Sequence, residues 1–76
     1  MPLPDPQDPW LPRLAGYEAR RVPAYRAGKA YVCPACHNRI PSGVGHVVVW
    51  PVEWVEDRRH WHLHCWRTAT RRGRLA

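Results

Sequence analysis

The stretch Cys33-Pro34-Ala35-Cys36 is followed, after residues 37–61, by the stretch His62-Leu63-His64-Cys65. Each stretch holds two metal-binding side chains that are separated by two residues, and each ends in a cysteine. Two such pairs supply four soft or borderline ligands, which is the sequence pattern of a structural tetrahedral zinc site. We therefore predict one structural Zn²⁺ whose four protein ligands leave no open position for a substrate. The predicted ligands are Cys33, Cys36, His62 and Cys65.

Other uses of these cysteines fit the sequence less well. The chain has three cysteines, and an odd number suits a disulfide framework badly. A Cys-x-x-Cys redox pair would leave the matching His-x-x-Cys without a role. His64 is adjacent to Cys65 and would form a strained ligand pair with it, so we favour His62 as the histidine ligand.

The size of the chain also favours a metal-stabilised domain. A chain of 76 residues and 8.9 kDa rarely buries enough apolar surface to be stable without a metal or a disulfide. The ligand pairs are far apart in the unfolded chain and meet only in the folded one. The free energy of zinc binding, about 10–16 kcal/mol in zinc-finger peptides, would therefore be largely folding free energy.

The residue pattern around the ligands predicts short strands and one helix. A strand around residues 29–32 leads into the first ligand pair, and the β-branched run His46–Trp50 is the clearest strand of the chain. Both faces of that run are apolar, so we expect it to be covered on both sides. Residues 59–61 are a returning strand that delivers His62, and residues 64–72 are a helix that starts at the ligands.

The expected fold is a small zinc-stabilised α+β domain, with short antiparallel strands and a C-terminal helix around one Cys3His site. Residues 1–12 contain five prolines and are predicted to form an extended proline-rich arm. Residues 13–32 are a basic aromatic segment that leads into the module, and residues 33–76 are the zinc-finger module with its basic helix. Trp10 and Leu11 can anchor the arm either to the domain's own core or to a partner protein.

Basic charge is the feature that points most directly to function. The formal net charge is +6 and the pI is about 10.1. The cations are concentrated in residues 13–39 and 58–76, which carry +5 and +6. In the first of these segments, where Pro23 breaks any helix into short extended pieces, tyrosines alternate with the cations. Cations neutralise phosphates and exposed rings stack on bases, so this composition is typical of a nucleic-acid-binding protein. The predicted phosphate contacts are Arg20, Arg21, Arg26, Lys29, Arg58, Arg59, Arg67, Arg71 and Arg72.

Two functional hypotheses follow from these observations. The first is a non-enzymatic zinc finger that binds DNA, including DNA ends, or structured RNA, through arginine and lysine contacts to the backbone and through aromatic stacking. The alternative is a zinc-stabilised protein–protein adaptor, or a small subunit of a larger nucleoprotein machine. Structural explanations for the charge also remain open, since the tyrosines can cover the zinc module and the last arginines can complement the helix dipole.

The zinc-binding segment resembles a known family. Cys33-x-x-Cys36 with Ile40 and Gly43, a valine-rich strand, a charged loop and then Trp61-His62-x-x-Cys65-Trp66 together resemble the zinc finger of poly(ADP-ribose) polymerases. The resemblance covers about half of the chain. It implies the same four zinc ligands and the binding of DNA breaks through basic backbone contacts and apolar stacking.

Two departures from that family are visible. The spacing between the ligand pairs is somewhat shorter than is usual there, and the motif ends in Cys65-Trp66 where the family has Cys-Phe-Trp. The first half of LIM domains is similar in its Cys-x-x-Cys and Trp-His-x-x-Cys motifs. LIM modules mostly bind proteins and carry a second zinc site, for which this chain lacks the cysteines.

The remaining features argue against catalysis and against a membrane location. No apolar run approaches the roughly 20 residues of a membrane helix, and the proline-rich start does not read as a secretory signal, so we expect a cytoplasmic protein. His46 is expected to be a hydrogen-bonded core histidine, whereas His37 and His60 can form hydrogen bonds or contact a phosphate group. None of these histidines has the carboxylate partner and open metal position that an enzyme needs, so we expect neither catalysis nor a small-molecule substrate.

Overall fold

The computed structural model describes residues 11–75, which form five strands, one α-helix and two short 3-10 turns. The strands are β1 (Tyr17–Val22), β2 (Tyr31–Val32), β3 (Arg39–Ile40), β4 (His46–Pro51) and β5 (Arg59–Trp61). The helix α1 spans Leu63–Arg72, and the 3-10 turns occupy Ala24–Arg26 and Val55–Asp57. The prediction of a small α+β fold with antiparallel strands and a C-terminal helix is confirmed. Residues 1–10 of the predicted proline-rich arm lie outside the described residues.

Strand β4 is the centre of a three-stranded sheet with the order β1-β4-β5, and β2 and β3 form a separate hairpin. On one face of β4, Val47 and Val49 are buried in the core. On the other face His46 is buried and Val48 is half-buried. The expectation that this strand is covered on both sides is therefore confirmed for residues 46–49.

Strand β1 is longer and more regular than the short extended pieces predicted for this part of the chain. All six of its residues pair with β4, from Tyr17 opposite Pro51 to Val22 opposite His46. Within β1 only Ala19 is buried. Arg21 stands where the alternation would place an apolar residue, which weakens the strand signal in the sequence, and the strand forms because β4 offers it a full hydrogen-bonded partner.

The core lies between the sheet and α1. Trp66 on the helix is fully buried, and its ring meets that of Trp61 edge to face with 5.6 Å between the centroids. Edge-to-face packing suits the aromatic quadrupole and adds to the effect of burial. The segment before β1 completes this core, because Leu11 is buried in it and the Trp66 indole N–H donates to the Pro12 carbonyl at 2.7 Å.

Helix α1 follows the prediction closely and begins one residue earlier, at Leu63. It ends at Gly73, whose positive φ of 74° allows the left-handed conformation. The N–H of Gly73 donates to the Thr70 carbonyl and that of Arg74 to the Ala69 carbonyl, the pairing of a Schellman motif. Within residues 11–75 no helix has the length and apolar character needed to cross a membrane.

Candidate functional site

The first pair of predicted ligands lies in the turn of the β2–β3 hairpin. The Cys33 N–H donates to the Asn38 carbonyl at 3.0 Å, and the His37 N–H donates to the Cys33 carbonyl at 2.8 Å. His37 has a φ of 62°, the only positive value at a non-glycine residue in the described chain. These bonds close a tight turn that brings the Cys33 and Cys36 side chains to the same side.

The second pair is placed where β5 passes into α1. His62 is the N-cap residue of the helix, in an extended conformation, and Cys65 lies in its first turn. The Cys36 Sγ is 3.3 Å from the His62 Nδ1, and the Cys65 Sγ is 3.9 Å from the same nitrogen. Together with Cys33, the four ligand atoms lie within 4.8 Å of one another. The structure therefore brings all four predicted ligands into one group that can hold a metal ion.

The fold shifts the pKa values of two thiols in this group in opposite directions. Burial acts to raise the pKa of Cys33, but hydrogen bonds from the backbone at His62, Cys36 and Ala35 outweigh it and lower the pKa to about 6. At Cys65 burial again raises the pKa, the neighbouring sulfurs of Cys36 and Cys33 add to it, and the pKa reaches about 12. The fold thus stabilises the Cys33 thiolate, whereas the Cys65 thiolate would need a bound cation at neutral pH.

The chemistry of the donor set therefore fits one metal ion bound by three sulfurs and one imidazole nitrogen. His64 is exposed and is not part of this group. In residues 11–75 no second group of three or more histidine, cysteine or carboxylate side chains is close enough to bind a metal.

A second histidine cluster lies on the opposite face of β4 from Val47. The His46 Nδ1 is 3.0 Å from the Val44 carbonyl, and the His46 Nε2 is 2.6 Å from the His60 Nδ1. The Tyr31 ring stacks on the His60 ring, with 3.5 Å between centroids and 9° between planes. Burial, helped by the nearby His46 and Arg58, lowers the pKa of His60 to about 4, so its ring is neutral at physiological pH. The expectation of a satisfied core histidine at His46 is confirmed.

The exposed face of α1 forms one side of a cationic groove of about 650 Å³. His64, Arg67 and Arg71 follow one another along this face at intervals of three and four residues, and all three are exposed. Pro12, Arg13 and Thr70 complete the lining, which contains no carboxylate among the described residues. Sequence reasoning named Arg67 and Arg71 but missed His64, which lies on the same helix face, and Arg13, which the packing of the preceding segment against the helix brings here.

A second cationic cleft, of about 710 Å³, lies between the β2–β3 hairpin and β5. Three of the predicted phosphate contacts meet there, namely Lys29, Arg58 and Arg59. Tyr31, Val32, Pro34, His37, His60 and the carboxylate of Glu56 also line it. The structure thus divides most of the predicted cations between two concave surfaces.

The other predicted contacts lie elsewhere. The Arg20 guanidinium is 5.7 Å from the centre of the Trp50 ring, and the Arg26 guanidinium is 6.0 Å from that of Tyr25. Both distances are compatible with cation–π attraction. Arg21 is exposed on β1, and Arg72 is exposed at the end of α1 outside the residues that line the groove.

Comparison with known proteins gives a family. The profile of the Rv1322 family protein matches residues 12–67, which include all four candidate metal ligands. The uncharacterized protein Rv1322 of Mycobacterium tuberculosis and the uncharacterized protein Mb1356 of Mycobacterium bovis are each 52% identical to this chain over 61 residues. Each alignment covers 75% of this chain and 62% of the relative, so the chain spans less than two thirds of the length of these relatives. No solved structure matches it. The chain therefore belongs to the Rv1322 protein family.

Proposed function

We propose that this chain is a zinc-stabilised module that binds the phosphate backbone of nucleic acid on the exposed face of α1. The observation that carries the proposal is the cationic groove, in which Arg67 and Arg71 are exposed one turn apart with no carboxylate among the described lining residues. Arginines without a carboxylate partner are available to phosphates, and their binding releases the counterions of the nucleic acid.

The metal that this proposal assigns to Cys33, Cys36, His62 and Cys65 is Zn²⁺. Three sulfurs and one imidazole nitrogen form a common ligand set of structural zinc sites. With zinc–ligand bonds of about 2.3 Å to sulfur and about 2.0–2.1 Å to nitrogen, a tetrahedron separates its sulfur and nitrogen atoms by about 3.6 Å. The observed separations of 3.3 and 3.9 Å lie on either side of that value. Bound zinc would supply the positive charge that the clustered thiolates require.

The metal group and the groove are coupled through α1. Cys65 and Arg67 belong to the same helix, so fixing the first turn of α1 on the metal also fixes the direction in which its cationic face points. Because four protein ligands would complete a tetrahedral site, this function is binding rather than catalysis. The resemblance of the ligand segment to the zinc fingers of poly(ADP-ribose) polymerases supports the same interpretation.

The experiment that tests this function compares two double variants of the zinc-loaded protein that lose the same charge. Arg67→Ala/Arg71→Ala removes the two helix cations of the groove, whereas Arg39→Ala/Arg74→Ala removes two exposed cations outside the groove. Binding to nicked duplex, blunt duplex, single-stranded DNA and structured RNA is measured by fluorescence anisotropy at two salt concentrations.

We expect the groove variant to bind its preferred nucleic acid about 10-fold or more weakly, with a salt slope smaller by about 2, because two phosphate contacts are lost. The control variant should change much less. Equal losses in the two variants would mean that only net charge matters, and an unchanged groove variant would show that α1 is not the contact surface.

One observation favours an adaptor as the second candidate function. The loop between β4 and β5 exposes three large apolar side chains within four consecutive positions, with Val52, Trp54 and Val55 at 54%, 56% and 50% exposure. Exposed apolar side chains grouped in this way are typical of protein contacts. If neither arginine variant changes nucleic-acid binding, this loop becomes the surface on which to seek a protein partner.

A further inference from the structure

The cleft between the β2–β3 hairpin and β5 has features that phosphate-backbone binding on α1 does not use. Its volume of about 710 Å³ is within the range of small-ligand sites and is larger than a lone phosphate requires. It is separate from the helix groove, since the two sets of lining residues have no member in common.

The cleft carries a local excess of positive charge. Lys29, Arg58 and Arg59 are exposed cations in its lining, and Glu56 is the one carboxylate among the described lining residues. The formal excess is therefore two positive charges. A terminal phosphate monoester carries nearly two negative charges at neutral pH, whereas a phosphodiester within a strand carries one. The charge of the cleft thus matches a terminal phosphate better than an internal one.

A second part of the lining is apolar and aromatic. Val32 is 64% exposed, and Pro34 and the half-buried Tyr31 lie beside it in the cleft. The Tyr31 ring is fixed by its stacking on His60. A rigid apolar surface next to a cluster of cations suits a ligand that joins a flat ring to an anionic group.

The hydrogen bonds of the histidine pair define one further group in the lining. A carbonyl can only accept, so the His46 Nδ1 must donate its proton to the Val44 carbonyl. The His46 Nε2 is bonded to the His60 Nδ1, so the remaining ring nitrogen of His60 is its Nε2. Because His60 lines the cleft, this nitrogen is available to form a hydrogen bond with a ligand there.

We propose that this cleft binds a terminal phosphate monoester joined to a nucleobase, with Lys29, Arg58 and Arg59 on the phosphate and with Tyr31, Val32 and Pro34 against the base. A free nucleoside monophosphate and the 5′-phosphorylated end of a strand both present this chemistry. The strand-end form rests on the proposed nucleic-acid binding, whereas the free-nucleotide form does not.

The test uses the zinc-loaded protein and the double variant Lys29→Ala/Arg59→Ala. Arg58 is kept because its guanidinium contacts the Val55 carbonyl of the neighbouring turn. The control is Arg39→Ala/Arg74→Ala, which loses the same charge outside the cleft. One arm measures the binding of AMP, adenosine and inorganic phosphate by NMR titration of the backbone amides. The other compares a 5′-phosphorylated oligonucleotide with its 5′-hydroxyl form by fluorescence anisotropy.

We expect AMP to bind at least 10-fold more tightly than adenosine and more tightly than inorganic phosphate, with amide shifts centred on β2, His37 and β5. The cleft variant should weaken AMP binding about 10-fold and should remove any preference for the 5′-phosphorylated strand, while the control retains both. Equal binding of AMP and adenosine, or equal losses in cleft variant and control, would overturn the proposal. Equal binding of AMP and inorganic phosphate would overturn its nucleobase half.

The two arms also separate this inference from the proposed function. If AMP binds in the cleft but no oligonucleotide binds, the nucleic-acid function fails and the free-nucleotide site stands. If oligonucleotides bind through α1 with no 5′-phosphate preference and AMP does not bind, the cleft site fails and the proposed function stands.

Discussion

Two histidine-containing clusters meet at β5, one through His60 within the strand and one through His62 just after it, and their polar atoms are satisfied in opposite ways. In the Cys3His group three sulfurs and the His62 Nδ1 lie close together, and they cannot all be paired by hydrogen bonds within the group. Burial and the neighbouring sulfurs therefore raise the pKa of Cys65 to about 12. In the Tyr31–His46–His60 cluster each shared proton has a donor and an acceptor within the fold. Similar side chains thus form a group that can hold an external ion in one cluster and a closed hydrogen-bonded network in the other.

Removal of the proposed Zn²⁺ should have the largest effect. We expect Cys36→Ser, or treatment of the protein with a chelator, to abolish the cooperative fold, because zinc binding worth about 10–16 kcal/mol in zinc-finger peptides far exceeds the stability of a small core. Thermal unfolding followed by circular dichroism measures this, with refolding of the chelated wild-type protein by added Zn²⁺ as the control. A metal-free chain that still unfolds cooperatively would break the contrast between the clusters.

Loss of the closed network should have an intermediate effect. His46→Ala removes a side chain that is 2% exposed and leaves the Val44 carbonyl and the His60 Nδ1 without their partner. We expect the free energy of unfolding to fall by about 2–4 kcal/mol, while zinc stoichiometry stays at one per chain. The exposed His64→Ala is the matched control and should change stability by less than about 0.5 kcal/mol. Similar losses in the two variants, measured by chemical denaturation, would contradict the assignment of a buried network.

The smallest effect should come from the stacked ring at the edge of the network. Tyr31→Leu keeps much of the apolar contact but removes the stacking on His60, so we expect a loss of about 1 kcal/mol in the free energy of unfolding. Tyr25→Leu is the matched control, since Tyr25 is 84% exposed. If the two tyrosine variants have the same denaturation midpoint, the stack adds nothing to the cluster.

Local patterns in the sequence predicted the features that depend on a few neighbouring residues. The ligand group was indicated by two pairs with the same spacing, Cys33-x-x-Cys36 and His62-x-x-Cys65. Strand β4 was indicated by the β-branched run after Gly45. Helix α1 was predictable to within one residue because proline and glycine are absent from it and Gly73 ends it.

The features that sequence reasoning missed depend on contacts between distant residues. Strand β1 has one buried residue, Ala19, and its pairing with β4 has no signature in its own alternation. The hydrogen bond between His46 and His60 joins residues 14 positions apart, and the residues next to either histidine contain no pattern that predicts it. Arg13 joins the helix groove only through the packing of the preceding segment, which involves the Pro12 carbonyl and Trp66.

That contact between Pro12 and Trp66 determines where the chain can be shortened without loss of structure. Removal of residues 1–12 would take Leu11 out of the core and would also remove the Pro12 carbonyl, which accepts the buried indole N–H of Trp66. The helix would therefore lose packing and a hydrogen bond together. A deletion of residues 1–12 intended to test the proline-rich arm would therefore measure stability as well as docking. We therefore expect the smallest stable fragment to begin at or before Leu11, and the arm is best tested by changes that leave Leu11 and Pro12 in place.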